Sequence, residues 1–427
     1  MDRAEQFAQA YRNMNLFPLY SETEIKEFRV PYGQRTLAKL QNALEASGET
    51  GKIIFTGHRG CGKSTLLGQL AEKMRTAGLF VSGFSIADMV EMSDVNHINI
   101  LYSIALRLLD KADKLNVNIP KGYRDDLVNW FTQTKSRTYS DQLKQEMSVG
   151  VDFLKFFTGK LQKEGSFREE IKETYERRVS DLSVQIDRVA AAIEGATGKK
   201  VLVIIDDLDK LDLGVAKTVF QENIKALFSP NIRVVFTIPV AVVRETRLRT
   251  TLDSEGTTIM LSVTKFFSQA EAHKLEGKPL EKNVEIFEKI LEKRIKAELI
   301  EPEIKRKIVL MSGGVLRELV RIGQECCREC MLELSMDPER TDITIDEAIF
   351  TEAIQSLRNQ FARTLGTNLY ELLVETYQTF TPPDATSDEF LELLHGLYVL
   401  EYENADLWYD LHPMVTDLLQ RKRLLEG

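Results

Sequence analysis

Eight consecutive residues, Gly57-His58-Arg59-Gly60-Cys61-Gly62-Lys63-Ser64, have the types and spacing suited to holding a polyphosphate. Glycines let the backbone wrap so that successive N–H groups and a helix N-terminus face the phosphates. Lys63 is placed to neutralise the β- and γ-phosphate charge, the Ser64 hydroxyl to meet Mg²⁺, and Thr65 to lie beside the α-phosphate. A fortuitous glycine-rich turn is the alternative. Context disfavours it, because the apolar run Lys52-Ile53-Ile54-Phe55-Thr56 precedes the loop and a helical pattern over 63–74 follows it.

A second set of candidates lies much further along the chain. The run Val201-Leu202-Val203-Ile204-Ile205 ends in Asp206-Asp207, and a carboxylate at the C-terminal edge of a parallel strand is where a magnesium site belongs. Asp206 is the candidate for holding Mg²⁺ through water, and Asp207 for orienting or deprotonating an attacking water. Capping of the next turn is the alternative for both, and Asp209 is the weaker acid of the group. Thr237, at the end of a neighbouring apolar run, either reaches the γ-phosphate or the water, or is a buried strand threonine. Arg317, just inside a helix after Gly313-Gly314, is either a phosphate ligand or half of a surface salt bridge.

These groups need a scaffold of strands and helices. Lys52–Thr56, Leu79–Ser85, Val201–Ile205, Ile232–Pro239 and Ile259–Val263 read as five strands alternating with helical patterns, which implies a parallel, doubly wound sheet. Residues 1–50 read as an N-terminal linker with a helix marked by Leu37, Leu40 and Leu44. The core is expected over 51–275, with a helical insertion over about 88–200. That insertion includes helical patterns at Ile98–Leu109, Tyr123–Phe131 and Phe167–Ile193, and a short apolar run at Val149–Phe157 that reads as a packing or partner surface. An all-helical region follows over 280–361, broken at Glu301-Pro302 and Ser312-Gly313-Gly314. The segment 366–427 reads as three helical segments and then a small hairpin, Tyr398–Tyr402 with Leu407–Leu411, which suggests a winged helix.

Composition narrows the function classes. Fifty-six basic against 65 acidic residues give a net charge of −9, which argues against coating nucleic acid by charge alone. No uninterrupted apolar run is long enough to cross a bilayer, and the N-terminus lacks a signal-peptide layout, so a cytoplasmic protein without membrane insertion is expected. Three of the four cysteines, Cys326, Cys327 and Cys330, share one helical stretch with no zinc-pattern partner and read as small core residues. Cys61, at a helix N-terminus, is a candidate oxidisable thiol, and His58 reads as a solvated loop residue.

Taken together, GHRGCGKST at 57–65, VLVIIDDLD at 201–209 and VVFTIP at 234–239 resemble the AAA+ and STAND branches of the P-loop ATPases. Ser312–Leu319 is similar to the helical-lid segment of AAA+ ATPases related to origin-recognition proteins, and 393–415 to the winged-helix module that follows it. The resemblance implies an α/β P-loop core with a parallel sheet, an all-α lid and a winged helix. It also implies ATP with Mg²⁺ as ligands, and Arg317 as a sensor of the γ-phosphate. Where many relatives carry Asp-Glu this chain has Asp206-Asp207, so slow hydrolysis is expected. A trans-acting arginine is not identifiable, although Arg244, Arg247 and Arg249 follow the Thr237 strand.

Three functions compete. The first is an ATP-driven switch that couples nucleotide state to self-assembly or a protein partner, with bacterial defence as one setting the resemblance suggests. A second is a DNA-binding initiator or loader that uses the winged helix and the arginines at 244–249 or 421–423. The third is a scaffold that keeps ATP without turnover.

Overall fold

The computed structural model describes residues 2–19, 22–120, 122, 153–175, 179–244, 246–274, 276–337, 340, 342–403 and 406–426. The helical pattern at Tyr123–Phe131 and residues 149–152 of the apolar run lie outside them. The chain divides into two compact units, residues 35–56 with 66–260, and residues 1–34 with 57–65 and 261–427.

The first unit is built on a parallel sheet of order β2-β3-β4-β1-β5. Its strands are β1 (Lys52–Gly57), β2 (Phe80–Ser85), β3 (Val201–Asp206), β4 (Arg233–Pro239) and β5 (Thr257–Met260). Ile53, Ile54, Phe55, Val201–Ile205 and Val234–Phe236 are all buried, as expected of strands covered on both faces. β5 starts and stops earlier than its apolar residues suggest. It pairs with β1 in the register Ile53↔Thr257 to Thr56↔Met260, and Leu261 already belongs to the other unit. At the start of β1, the Lys52 ammonium donates to the carbonyls of Thr50, Pro230 and Ile232 at 2.7–2.9 Å, so a lysine is buried with its charge solvated by backbone.

The helical stretch read as an insertion is part of this core. The His97–Lys114 helix buries Ile98, Ile100, Leu101, Tyr102, Ile104, Leu108 and Leu109 in the same apolar cluster as Ile54, Val203 and Phe236. The Val179–Thr197 helix packs on it through Leu182, Ile186 and Val189. One charged run in the sequence becomes two helices here, Gly165–Tyr175 and Val179–Thr197. Arg168, on the first of them, is buried and donates to Asp94 through Nε at 2.9 Å.

Of the segment read as a linker, residues 35–50 belong to the first unit, with Leu37, Leu40 and Leu44 buried as expected, and residues 1–34 belong to the second. Its Arg3–Asn13 helix, capped by the Asp2 carboxylate, packs on the Leu316–Met336 helix, and Arg3 donates to Ile343 O and Glu298 O. Helices Glu281–Glu292, Pro302–Met311, Leu316–Met336 and Glu347–Thr364 break where Glu301-Pro302 and Ser312-Gly313-Gly314 direct, with Pro302 at the first helical turn. Cys326, Cys327 and Cys330 are buried free thiols. Burial pushes Cys327 up to about 12 and the other two upward as well, which leaves them inert packing residues.

Three helical segments precede the C-terminal hairpin, as expected: a single 3₁₀ turn at Thr367–Leu369 and the α-helices Tyr370–Thr379 and Asp388–His395. Phe380, at φ 57°, ends the Tyr370–Thr379 helix, and Pro382-Pro383 cannot continue it. β6 (Val399–Glu403) and β7 (Leu407–Leu411) form an antiparallel hairpin, followed by the Pro413–Arg421 helix. His412 caps that helix by accepting from Met414 N at 3.2 Å and stacks on Phe361.

Full burial, reinforced by Arg321, depresses His412 from the ordinary imidazole value near 6.5 to about 3. The unfolded chain therefore binds a proton between those values and the native chain does not. Stability conferred by neutral His412 is complete above about pH 6.5 and is lost as pH falls towards 3, at up to about 1.4 kcal/mol per pH unit. Urea midpoints at pH 7, 6 and 5 should fall more steeply for the wild type than for His412→Asn, and parallel lines would disprove this role.

Candidate functional site

β1 runs directly into the glycine loop, and the Lys63–Thr76 helix begins at its lysine. Gly57, Gly60 and Gly62 have φ of 143°, 81° and 92°, a region L side chains rarely adopt. Space forbids side chains too. A Cβ on Gly60 would lie 2.5 Å from Arg317 Cβ, and one on Gly62 would lie 2.9 Å from Leu316 Cδ1. The loop is a backbone cradle, which suits a triphosphate held by N–H groups.

The Lys63 ammonium, 4% exposed, donates to Gly57 O and His58 O at 2.8 Å each. These two partners are neutral carbonyls, which are weaker acceptors than phosphate oxygens. The Arg317 backbone N–H donates to Gly60 O at 3.0 Å, so the Gly313-Gly314 segment is fastened to the loop itself. Among the described residues the Arg317 guanidinium holds no ion pair, and its charge helps to offset the burial of the neighbouring Glu318 carboxyl. Gly313 and Gly314 are at φ 61° and 82°, and Tyr402 Oη donates to Gly313 O at 3.0 Å.

Two residues beside the loop depart from the sequence reading. His58 is 1% exposed, not solvated, and its Nε2 accepts from Glu401 N at 2.9 Å. Cys61 is fully buried, so the thiol expected to be oxidisable is shielded. Sequence reasoning missed Tyr32. Its ring lies 3.6 Å from where a Cβ on Gly62 would stand, its hydroxyl accepts from Thr264 Oγ1, and it meets Phe287 edge-on. Burial raises its phenol well above the ordinary value. The only signal was an aromatic between Pro31 and Gly33.

The carboxylates belong to the sheet unit. Asp206 ends β3 and accepts from Asp207 N at 2.8 Å, and Asp207 follows in a left-handed conformation at φ 68°. One Asp207 oxygen accepts from Ser85 Oγ at 2.6 Å, and the other lies 2.5 Å from Lys210 Nζ. Asp206, Asp207 and Asp209 each present an oxygen within 4.8 Å of the others, and all three are buried or nearly so. Carboxylate oxygens are donors of the hard kind that Mg²⁺ takes.

Thr237 lies in β4 beside the turn that follows β3. It is fully buried, accepts from Leu208 N at 3.0 Å and donates to Ile205 O at 3.4 Å, so it holds the turn that carries the acids. Thr237→Val removes both bonds and strands a buried N–H. The expected loss is about 1–3 kcal/mol of stability, read as a lower urea midpoint, and an unchanged midpoint would refute the assignment. Arg244 and Arg249 lie just beyond β4, the first at the C-terminal cap of the short Val240–Val243 helix and the second in the Thr246–Glu255 helix, which also carries Arg247.

A parallel sheet whose first strand enters G-x-x-x-x-G-K-S and whose third ends in paired acids is the arrangement of a P-loop nucleotide-binding fold, followed here by a helical region. Among solved structures, the chain is similar to a Walker-type ATPase of Pyrococcus abyssi. The TM-score is 0.47 at 13% identity, over 96% of this chain and 99% of that one. It is also similar to Cdc6p of Pyrobaculum aerophilum (0.40, 13%, 95% and 97%) and to a variant of Thermotoga maritima RuvB (0.39, 14%, 97% and 100%). No protein-family model and no curated protein matches it. Among the described residues, no helix is long and apolar enough to cross a membrane.

Proposed function

We propose that the chain is an ATP-binding, slowly hydrolysing switch in which nucleotide state governs how the 261–427 region sits on the phosphate loop, and so governs self-assembly or a protein partner. The observation that carries this reading is the attachment of Arg317 N to Gly60 O beside a Lys63 ammonium resting on loop carbonyls. Phosphate oxygens offer Lys63 a stronger partner than either carbonyl, so binding changes the loop that the lid segment grips.

Ser64 and Asp206 are the proposed Mg²⁺ ligands, and the metal would neutralise charge on the β- and γ-oxygens. Thr65 serves the α-phosphate, Arg317 reaches the γ-phosphate, and Asp207 orients or deprotonates water. Slow turnover follows from Asp207 having Ser85 on one oxygen and Lys210 on the other. Asp207→Asn should reduce phosphate release at least about 100-fold while leaving ATP affinity within about twofold. Unchanged release would end Asp207's role. Sizing the protein with ADP and with a non-hydrolysable ATP analogue tests the switch, and identical profiles and protease patterns in both would count decisively against it.

A second reading, a DNA-binding loader, is favoured by the exposed triplet Arg421-Lys422-Arg423 at the end of a winged-helix-like module. A salt-dependent gel shift with duplex DNA supports it, and no binding at about 50 mM salt removes it.

A further inference from the structure

Outside the nucleotide site, one loop commits a single residue to a distant element. Residues 267–279 precede the Glu281–Glu292 helix, and the loop's ends meet where Leu280 N donates to Phe266 O at 2.6 Å. Within it Glu271 accepts from Lys274 Nζ at 2.6 Å and from Lys278 N at 3.1 Å, so the bend is held by its own residues. Among the described residues, only His273 hydrogen-bonds from this loop to another element. Its Nε2 donates to both oxygens of Asp410 in β7, at 3.0 and 3.1 Å. Its ring stacks on Tyr377 and Phe380, with centroids 3.8 and 4.5 Å away. All four residues belong to one compact unit.

The receiving residues are fixed independently of His273. Asp410 Oδ1 accepts from Leu411 N at 2.8 Å, which orients the carboxylate, and Phe380 O accepts from Tyr409 N at 2.9 Å, which ties Phe380 to the same strand. Phe380 also holds φ 57°, where glycine is the unstrained choice at a helix end, so a ring is kept there against backbone preference. Burial and the Asp410 charge both raise the Tyr377 phenol, which marks the site as negative. Among the described residues, no arginine or lysine pairs with Asp410. Imidazole fits this chemistry imperfectly, because one N–H is shared between two oxygens. A guanidinium brings two parallel N–H groups to a carboxylate, stays charged, and lays a planar cation on aromatic rings.

We infer that Tyr377, Phe380 and Asp410 form a recognition site for an arginine side chain of a protein partner, and that His273 covers it as a displaceable plug. The site shares no residue with the phosphate loop or the acid pair, so it stands apart from the ATP reading. The His273 and Asp410 side chains are 24% and 16% exposed, so a guanidinium can reach the carboxylate from solvent. The loop is tied to itself and at its ends, so it can lift without unfolding the helix it leads into.

The test uses the full chain and N-acetyl-arginine amide, followed by calorimetry, with N-acetyl-lysine amide as the comparison. His273→Ala uncovers the site and should bind the arginine probe saturably, at least about tenfold more tightly than it binds the lysine probe and than the wild type binds arginine. Adding Asp410→Asn should abolish that binding. Hydrogen exchange of the 268–274 peptide in the wild type should rise with excess arginine probe, and this arm stands even where a variant fails to fold. No saturable binding to folded His273→Ala, equal binding of the two probes, equal binding to the double variant, or unchanged exchange at 268–274 in the wild type overturns the site.

Discussion

Lys63→Ala is expected to weaken ATP binding by about 3 kcal/mol, roughly 100-fold, and to bring phosphate release to background. The lysine is the only cation of the loop whose ammonium is buried against the loop's own backbone, bonded to Gly57 O and His58 O. In the triphosphate complex that charge would meet oxygens in a site poor in water, where a charge-assisted bond is worth several times its value in solvent. Truncation also leaves the two carbonyls without their present donor, so part of the effect falls on the free protein. Melting curves separate the contributions: a shift of a few degrees without ligand belongs to the carbonyls, and loss of the ATP-induced rise in Tm belongs to binding. An ATP-induced rise equal to that of the wild type would dismiss Lys63 as a phosphate ligand, and with it the reading of the loop.

Gly314→Ala should cost more than about 4 kcal/mol and give insoluble protein, or a protein whose 261–427 region melts well before the sheet. A Cβ there would stand 1.7 Å from Thr264 O and 2.7 Å from Thr264 C, and backbone cannot swing aside as a side chain does. The φ of 82° adds its own penalty for any L residue. Gly68→Ala is the matched control. Gly68 lies within the Lys63–Thr76 helix with nothing within 4 Å of its would-be Cβ, so alanine should stabilise by about 0.5–1 kcal/mol through helix propensity. Similar soluble yields and midpoints for the two variants would contradict the crowding at Gly314. The comparison bears on function, because the same turn presents Arg317 to Gly60 and receives Tyr402.

Much of this protein is legible from local pattern. Continuous β-branched and aromatic runs at 53–55, 201–205 and 234–236 mark buried parallel strands, because a strand covered on both faces has no use for polar alternation. The glycines of the loop and of 313–314 announce themselves because a positive φ is a demand the backbone makes at that residue. Strand, loop and helix in succession then mark the proposed phosphate cradle, and acids at a strand end the proposed metal side. The helix breaks at 301–302 and 312–314 follow from the same local chemistry.

What the tertiary structure alone decides is which distant partner each polar group finds. His58 has the sequence neighbours of a solvated residue and is buried because Glu401, more than three hundred positions away, brings its N–H to the ring. Thr237 has a hydroxyl suited to phosphate and spends it on the turn after β3. The Ile98–Leu109 pattern shows a helix but not its destination, and packing placed it in the sheet's core because its apolar face is too wide for a surface insertion. Periodicity and backbone preference act over a few residues, whereas hydrogen-bond partners and burial depend on where the whole chain closes, and no local pattern records that.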